Sequence, residues 1–293
     1  MPRPYRLRRS CHAVPGASAR MLARAREVPA DLVFLDLEDS VAPAAKAAAR
    51  AEVAAALLAG PFRAPTVAVR VNAVGGPWCH RDLIEVVGAA ADRIDVVILP
   101  KVQGPDGVAF AHHLLTGLEL EAGLEPGRIG LEAQIEDAHG LVAAERIAAA
   151  CPARMEALVF GPGDFAASVG MPTTTIGATG SGAGGPELHH ALSRILVAAR
   201  AAGVQAVDGP YAGLRDPEGL LASARAARAL GYDGKWSIHP GQVATLNEVF
   251  GVAQEDLDRA EGILRAYARA LEQEGRGAAV HEGEMIDEAT RRM

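Results

Sequence analysis

The sequence predicts an α/β protein, a (β/α)8 TIM barrel followed by a C-terminal helix and a lid segment. Short apolar runs alternate with longer, alanine-rich amphipathic stretches along the chain. Most of the runs are apolar without interruption, which is typical of strands covered on both faces. The repeated strand–helix order indicates a parallel sheet, and eight repeats favour a closed barrel. A doubly wound open sheet is the alternative, and it is disfavoured because no GxGxxG motif follows a strand.

Most of the eight predicted strands are followed directly by a proline, a glycine or an acidic residue. The eight strands cover residues 7–14, 32–35, 66–72, 94–99, 129–135, 157–160, 204–207 and 235–238. The predicted helices lie between and after them, at residues 18–28, 43–58, 81–90, 105–120, 139–150, 187–202, 215–230 and 240–248. Residues 1–250 are therefore assigned to the barrel.

Residues 251–293 fall outside the eight units and are assigned to a C-terminal helix and lid tail. A strongly periodic helix is predicted at 254–275, and 276–293 is too short for a domain. Residues 172–186 are rich in Gly, Thr and Ser and follow the sixth strand. This composition suits either a mobile loop at the barrel mouth or a plain solvent loop.

Composition excludes several classes of protein. The chain has 293 residues, of which 49% are hydrophobic and 22% charged, so it can bury a sizeable core and is not wholly disordered. A net charge of −7 argues against binding of nucleic acid or of a membrane through a polybasic patch. The three cysteines form no CxxC pair, which argues against a disulfide framework or a thiolate zinc site. No run of about 18 apolar residues and no signal peptide is recognised, so we expect a cytoplasmic protein.

Acidic residues follow several of the predicted strands. In a parallel barrel such positions share the C-terminal mouth, where active sites lie. Glu136 and Asp164 are a carboxylate pair suited to Mg²⁺, which keeps water ligands and accepts substrate oxygens. Asp36, Glu38 and Asp39 follow the second strand and either support a metal through its bound water or form salt bridges and helix N-caps.

Arg70 lies inside the apolar run TVAVRVNA. A buried, unpaired charge costs several kcal/mol, so this arginine requires a carboxylate partner, a bound oxyanion, or both. A bidentate clamp on a carboxylate or a developing enolate oxygen is the functional interpretation, and a structural ion pair is the alternative.

Several motifs resemble the HpcH/HpaI aldolase and citrate lyase β-subunit-like superfamily, in order along the chain. They are SCHAVPGASARMLARAREVPADLVFLDLEDSV, VRVNAVGGPW, ILPKVQ, LEAQIEDAHGL, LVFGPGDFAASVG, AVDGP, GKWSIHPGQV and EMIDEA. Each motif is weak alone, but together they are specific. Their form is most similar to the bacterial CoA-ester lyases that act on malyl-CoA, β-methylmalyl-CoA and citramalyl-CoA.

The resemblance implies a TIM barrel that binds Mg²⁺, with Mn²⁺ as an alternative, through Glu136 and Asp164. It also implies a catalytic arginine at Arg70. The MID motif near the end carries Asp287, which by the same resemblance reaches the site of a neighbouring subunit in a homotrimer or homohexamer. Coenzyme A enters as part of the substrate.

Further substrate and CoA contacts are implied by the same resemblance. They fall on two arginines of the first βα unit, on the turn after the sixth strand and on the end of the eighth, at Arg20, Arg24, Pro162, Gly163, Ile238 and His239. His239 has an alternative role as a capping residue before Pro240. The glycine-rich 172–186 loop departs from the family pattern, which leaves the acyl specificity open.

The implied activity is reversible carbon–carbon cleavage of a 3-hydroxyacyl-CoA to glyoxylate and acetyl- or propionyl-CoA. Arg70 stabilises charge that develops on oxygen, and Asp287 is the candidate acid or base. The alternatives are a citramalyl-CoA or citrate lyase β-like activity that releases pyruvate or oxaloacetate, a class II aldolase acting on free 2-keto-3-deoxy acids, a lyase with an added thioesterase step, and a non-catalytic subunit that binds CoA esters.

Overall fold

The computed structural model describes residues 5–179, 181–183 and 185–292, and its main feature is a closed barrel of eight parallel strands. The strands are β1 (Ser10–Pro15), β2 (Leu32–Asp36), β3 (Thr66–Arg70), β4 (Val96–Leu99), β5 (Gly130–Ile135), β6 (Met155–Phe160), β7 (Gln205–Asp208) and β8 (Gly234–Ser237). Each strand pairs in parallel with the next, and β1 pairs with both β2 and β8. The predicted TIM-barrel fold is confirmed.

Helices connect the strands around the outside of the barrel. They are α1 (Ala19–Ala25), α2 (Lys46–Leu58), α3 (Cys79–Asp82), α4 (Gly88–Ala90), α5 (Pro105–Glu121), α6 (Ala138–Val142), α7 (Ala144–Ala148), α8 (Pro162–Ser168), α9 (His189–Ala201), α10 (Pro217–Leu230) and α11 (Val243–Val249). Short 3-10 turns precede or follow some of them, at Pro43–Ala45, Ala91–Arg93, Pro186–Leu188 and Pro240–Gln242.

Strand β2 shows why the predicted strands are apolar without interruption in the sequence. Leu32 and Phe34 point into the barrel, where they join a buried cluster of ten residues. Val33 and Leu35 point outward and pack in the larger cluster beneath the helices. Since both faces of the strand are covered, both sets of alternate side chains are apolar.

The amino end of the barrel is filled by a buried charge network. The Arg8 guanidinium donates to Glu132 at 2.7 Å and to Glu156 at 2.6 Å, and it also contacts Gln205. Arg8 and both carboxylates are buried. Pairing offsets the cost of removing these charges from water.

The predicted helices differ from the observed ones in three places. The stretch predicted as 81–90 contains a π-helical turn, Leu83–Val87, between α3 and α4. The stretch predicted as 139–150 is divided into α6 and α7 at Ala143, whose φ of −96° and ψ of 3° interrupt the helix. Helix α8 was not predicted, because its GPGD start resembles a turn.

Residues 172–186, predicted as a loop, include a pair of antiparallel strands of two residues each, in which Ala178–Thr179 pairs with Gly182–Ala183. Strand bounds also shift by a few residues. The third strand ends at Arg70 rather than at residue 72, and the sixth begins at Met155.

The described chain divides after Phe250 into two compact units, and the second unit is built on one long helix. Helix α12 (Gln254–Glu274) is followed by an antiparallel hairpin of β9 (Ala278–His281) and β10 (Glu284–Asp287), and by α13 (Glu288–Arg292). The hairpin and α13 were not predicted. None of the helices in the described residues is both long and apolar enough to cross a membrane.

Candidate active site

A cavity of about 550 Å³ opens at the carboxyl ends of the barrel strands. Its wall combines charged side chains with apolar ones and with the backbone of the turn after β6. The residues that line it are Ala13, Pro15, Asp36, Asp39, Ser40, Arg70, Gln134, Glu136, Gly161, Pro162, Gly163, Asp164, Ile176, Pro210, Trp236 and Ile238. This is the end of the barrel at which the strand-terminal acidic residues were expected to meet.

Arg70 is held in the cavity wall by Asp36. Its Nε and one terminal nitrogen donate to the two carboxylate oxygens at 2.7 Å each. Strand register produces this pair, because Asp36 and Arg70 are directly opposite each other on β2 and β3. Burial opposes ionisation of Asp36, but the Arg70 charge and hydrogen bonds hold the Asp36 pKa below its usual value.

The remaining guanidinium nitrogen of Arg70 serves other partners. It lies 3.2 Å from Glu38 and donates to the Gln134 side-chain oxygen at 3.4 Å. The guanidinium carbon is 5.4 Å from the centroid of the Trp236 ring. Arg70 thus satisfies the requirement for a carboxylate partner and still presents a charged group to the cavity.

Glu136 lies at the end of β5 and is buried, with 2% of its surface exposed. One carboxylate oxygen accepts the Lys101 backbone N–H at 2.5 Å, and the other accepts the Gln134 amide at 2.8 Å. Burial raises the Glu136 pKa to about 8 despite the Lys101 hydrogen bond. Gly161 is required beside it, because a Cβ there would lie 2.8 Å from a Glu136 oxygen.

Lys101 is the most informative residue that sequence reasoning missed. It has a φ of 52°, which is uncommon for a residue other than glycine. From this position its ammonium contacts Glu38 and lies 3.1 Å from Asp39 and 3.2 Å from Asp164. Its location at the end of β4 was a usable signal, because the other site residues also follow strands.

The donor set fits a divalent cation with water or substrate ligands. Glu136 and Asp164 line one cavity, and carboxylates are suitable ligands for Mg²⁺. The Lys101 ammonium beside Asp164 shows that this rim accommodates positive charge. Among the described residues no three His, Cys, Asp or Glu side chains are placed to share one ion. A cation here would therefore take its other ligands from water and substrate.

The structure brings most of the predicted site residues to the cavity, as its lining shows. Glu38 instead lies beside it, in a recess shared with Asp39 and Lys101. Arg20 and Arg24 are exposed on α1, away from the lining. His239 has the alternative role considered for it, because its Nδ1 accepts the Gly241 N–H at 3.1 Å and caps the turn.

The remaining predicted site residues are Asp39 and Asp287. Asp39 forms the salt bridge considered for it, whereas the N-cap position of the next turn is Ala42, so the alternative of an Asp39 cap is wrong. Asp287 lies in the second unit, where its Oδ1 accepts the Ala289 N–H at 2.9 Å. Sequence reasoning also missed eight residues of the cavity lining, namely Ala13, Pro15, Ser40, Gln134, Gly161, Ile176, Pro210 and Trp236.

Comparison with known proteins decides the family. A sequence profile of the HpcH/HpaI aldolase/citrate lyase family matches residues 9–240. The chain belongs to this family. The match confirms the predicted resemblance and identifies the protein as a lyase that acts on carbon–carbon bonds.

Relatives in the HpcH/HpaI family match nearly the whole chain. The L-malyl-CoA/beta-methylmalyl-CoA lyase of Rhodobacter capsulatus is 38% identical over 298 residues, covering 99% of this chain and 93% of that protein. Citrate lyase subunit beta of Escherichia coli K12 is 36% identical over 285 residues, covering 97% and 90%. The structure of CitE from Mycobacterium tuberculosis in complex with magnesium, acetoacetate and coenzyme A superposes with a TM-score of 0.75 at 31% identity, covering 97% and 94%.

Proposed function

We propose that this protein is a metal-dependent lyase that reversibly cleaves a 3-hydroxyacyl-CoA of the malyl-CoA or β-methylmalyl-CoA type. The products are glyoxylate and acetyl-CoA or propionyl-CoA. The observation that carries the proposal is that Arg70, Glu136 and Asp164 line one cavity. The relatives named as lyases of these two esters support the choice of substrate.

The chain would hold Mg²⁺, or Mn²⁺, through Glu136 and Asp164. When bound, the cation supplies Lewis-acid polarisation of an oxygen on the substrate. Gln134 orients the Glu136 carboxylate, since its amide donates to it at 2.8 Å. In the same wall Arg70 binds the oxygen on which negative charge develops, and Asp36 keeps its guanidinium plane fixed.

The reaction balances without an external redox partner. A base removes the hydroxyl proton, and the carbonyl of the 2-oxo acid forms as the carbon–carbon bond breaks. The electron pair of that bond passes to the acyl-CoA fragment as an enolate, whose α-carbon is then protonated. The reverse sequence forms the bond from an acyl-CoA and a 2-oxo acid.

Asp287 is the proposed acid or base for the α-carbon, supplied by a neighbouring subunit in a homotrimer or homohexamer. Its Oδ1 accepts the backbone N–H groups of Ala289 and Thr290 at 2.9 and 3.1 Å. These bonds fix the carboxylate at the start of α13. Within the described residues the hydrogen bonds to this carboxylate fall on Oδ1, which leaves Oδ2 for proton transfer.

Binding of the CoA portion is assigned to the same mouth. Pro162, Gly163 and Ile238 line the cavity, and His239 follows directly on β8. Arg20 and Arg24 are exposed on the first helix, where they would meet phosphate groups outside the cavity. Asp36, Glu38 and Asp39 surround Arg70 and Lys101 and would hold the water ligands of the cation.

The decisive experiment is an assay of the purified protein with malyl-CoA, β-methylmalyl-CoA, citramalyl-CoA and citryl-CoA in the presence of Mg²⁺. We expect glyoxylate from the first two esters, no turnover after chelation by EDTA, and loss of metal-dependent turnover in Glu136→Gln. If none of the esters is cleaved although metal is bound to the protein, the proposal is overturned.

Release of pyruvate or oxaloacetate instead of glyoxylate would favour a second candidate function. This candidate is a citramalyl-CoA or citrate lyase β-like activity, and the similarity to citrate lyase subunit beta supports it. The identity of the 2-oxo acid product separates the two, because the acyl-CoA product can be acetyl-CoA in both cases.

Sharing of the site between subunits is tested by complementation. Asp287→Ala and Arg70→Ala subunits are each expected to be inactive. Mixed by unfolding and refolding, they should regain part of the activity, because some sites then combine an intact barrel with an intact tail. If the mixture stays inactive while mixed wild-type chains recover, Asp287 does not act across subunits.

A further inference from the structure

The cavity has two unlike walls. Asp36, Arg70 and Glu136 form a charged wall on β2, β3 and β5. The apolar part of the lining, here called the apolar wall, comes from the segments that follow β6, β7 and β8, the first of which also supplies the Asp164 carboxylate. Its members are Pro162, Gly163, Ile176, Pro210 and Ile238. A substrate that places its oxygens on the charged wall presents its hydrocarbon groups to the apolar one.

Ile176 is the branched side chain of the apolar wall that packs on the turn before Asp164. Its Cγ1 lies 3.2 Å from the position that a Cβ on Gly163 would occupy. Because Gly163 has no side chain, Ile176 rests directly on the backbone of this turn. The side chain of Ile176 is 44% exposed, so a ligand entering the cavity meets it.

The backbone of Ile176 is fixed although the surrounding segment is rich in glycine. The Ala212 N–H donates to the Ile176 carbonyl at 3.0 Å. The next residue, Gly177, has a φ of +79°, and a Cβ there would lie 2.5 Å from the Pro210 carbonyl oxygen. The absence of a side chain at Gly177 allows the segment to lie against the loop that follows β7, and the hydrogen bond from Ala212 holds it there.

A second set of bonds connects that loop to the end of β8. The Gln242 side chain donates to the Tyr211 carbonyl at 3.0 Å and accepts the Ile238 N–H at 2.9 Å. The segments after β6, β7 and β8 are therefore joined by hydrogen bonds. Ile176 and Ile238 keep a fixed spacing in the cavity wall as a result.

We propose that Ile176 determines selectivity at the acyl α-carbon, between unbranched and methyl-branched 3-hydroxyacyl-CoA esters. This inference rests on the proposed function. The α-carbon of the acyl group carries either hydrogen or a methyl group, and it is bonded to the carbon held at the charged wall. The side chain of Ile176 limits the space available to that methyl group beside Gly163.

The test is the ratio of kcat/KM for β-methylmalyl-CoA to kcat/KM for malyl-CoA. One methylene group in an apolar pocket is worth about 1–3 kcal/mol, or at least about tenfold in rate. Ile176→Ala is therefore expected to raise the ratio about tenfold in favour of the branched ester. Ile176→Val should raise it by a smaller factor, and it remains informative if the alanine variant fails to fold.

Ile84→Ala is the matched control, because Ile84 is 49% exposed and lies in the π-helical turn between α3 and α4, away from the cavity lining. An unchanged ratio in both Ile176 variants, with wild-type protein active, would overturn the inference and leave the proposed function standing. A wild-type protein that cleaves neither ester would overturn both. An equal rise in Ile84→Ala would also contradict a specific role for Ile176.

Discussion

Arg70 and Asp36 are directly opposite each other on neighbouring strands and form two hydrogen bonds of 2.7 Å. Arg70 is 7% exposed and Asp36 is 2% exposed, so the pair is almost completely shielded from solvent. The arginine therefore enters the cavity wall with its charge already compensated and its plane fixed. Its contribution to stability and its proposed catalytic role can be separated by experiment.

Arg70→Met is expected to lower stability and to abolish turnover. Removing one partner of a buried pair leaves an uncompensated carboxylate, which costs about 3–5 kcal/mol. The double variant Asp36→Asn/Arg70→Met removes both charges and should regain much of that stability while staying inactive. Urea unfolding and the lyase assay measure the two effects. Recovery of activity in the double variant would show that Arg70 has no role in the chemistry.

Gly161→Ala is expected to lower turnover at least tenfold while the protein stays folded. The new methyl group would lie 2.8 Å from a Glu136 oxygen and 3.0 Å from the Gln134 nitrogen, and so would displace the carboxylate. Displacement of a group that positions a reactant by about 1 Å can cost on the order of a hundredfold in rate.

Gly117→Ala is the control for this variant, because in the described part of the chain no atom outside the neighbouring helix backbone lies within 4 Å of the site of its Cβ in α5. Circular dichroism and steady-state kinetics of both variants are compared. Full activity in Gly161→Ala would show that the close contact between residue 161 and Glu136 is not required for turnover.

Lys101→Met is expected to tighten binding of Mn²⁺ by about two- to fivefold. The Lys101 ammonium lies 3.2 Å from the half-exposed Asp164 carboxylate and would compete with a cation for it. Partly exposed ion pairs contribute about 0.2–1 kcal/mol, which sets the size of the effect. Titration with Mn²⁺ followed by electron paramagnetic resonance measures the affinity, and Lys101→Arg retains the charge as a control. Weaker binding in Lys101→Met would mean that the ammonium orders Asp164 rather than competing for it.

His12 is expected to make stability fall as the pH drops below about 6.5. Burial, together with repulsion by His239, lowers the His12 pKa to about 4 in the folded protein. Between the unfolded and folded pKa values the unfolded chain binds a proton that the folded chain does not, so unfolding is favoured as pH decreases. The loss for this group between about pH 6.5 and 4 is about 3 kcal/mol.

His12→Gln removes this contribution, and its free energy of unfolding should depend less on pH between pH 7 and 5. Urea unfolding at several pH values tests the difference. His139→Gln is the control, since His139 is exposed on α6. An identical pH dependence in wild type and His12→Gln would contradict the buried, neutral state of His12.

Much of the fold and the site is predictable because burial on both faces of the strands leaves a strong pattern. Leu32 to Leu35 fill the interior and the helix layer alternately, which makes the strand visible as one apolar run. Polar residues after such runs then mark the mouth of the barrel. Asp36, Glu136 and Asp164 were predicted in this way, whereas Arg70 was predicted from its position as a charge inside an apolar run. All four line one cavity.

The missed features have weaker or different signals. Ala143 interrupts a helix although alanine is a strong helix former, so the break comes from tertiary packing. The Glu282–Gly283 pair, with φ values of 49° and 82°, is the turn of the β9–β10 hairpin. A glycine between apolar stretches could have indicated it. The positive φ of Lys101 has no signal in the sequence, because lysine does not favour this conformation. The contacts of Lys101 also depend on three separate segments of the chain.

The network of Arg8, Glu132 and Glu156 has a kinetic consequence. It fills the amino end of the barrel, so within the described part of the chain substrates reach the charged wall only from the carboxyl end. Under the proposed function the small 2-oxo acid would occupy the deeper position and the bulky thioester would cover it. Acyl-CoA should leave first in the cleavage direction and bind second in the condensation direction, an ordered mechanism that product-inhibition patterns would reveal.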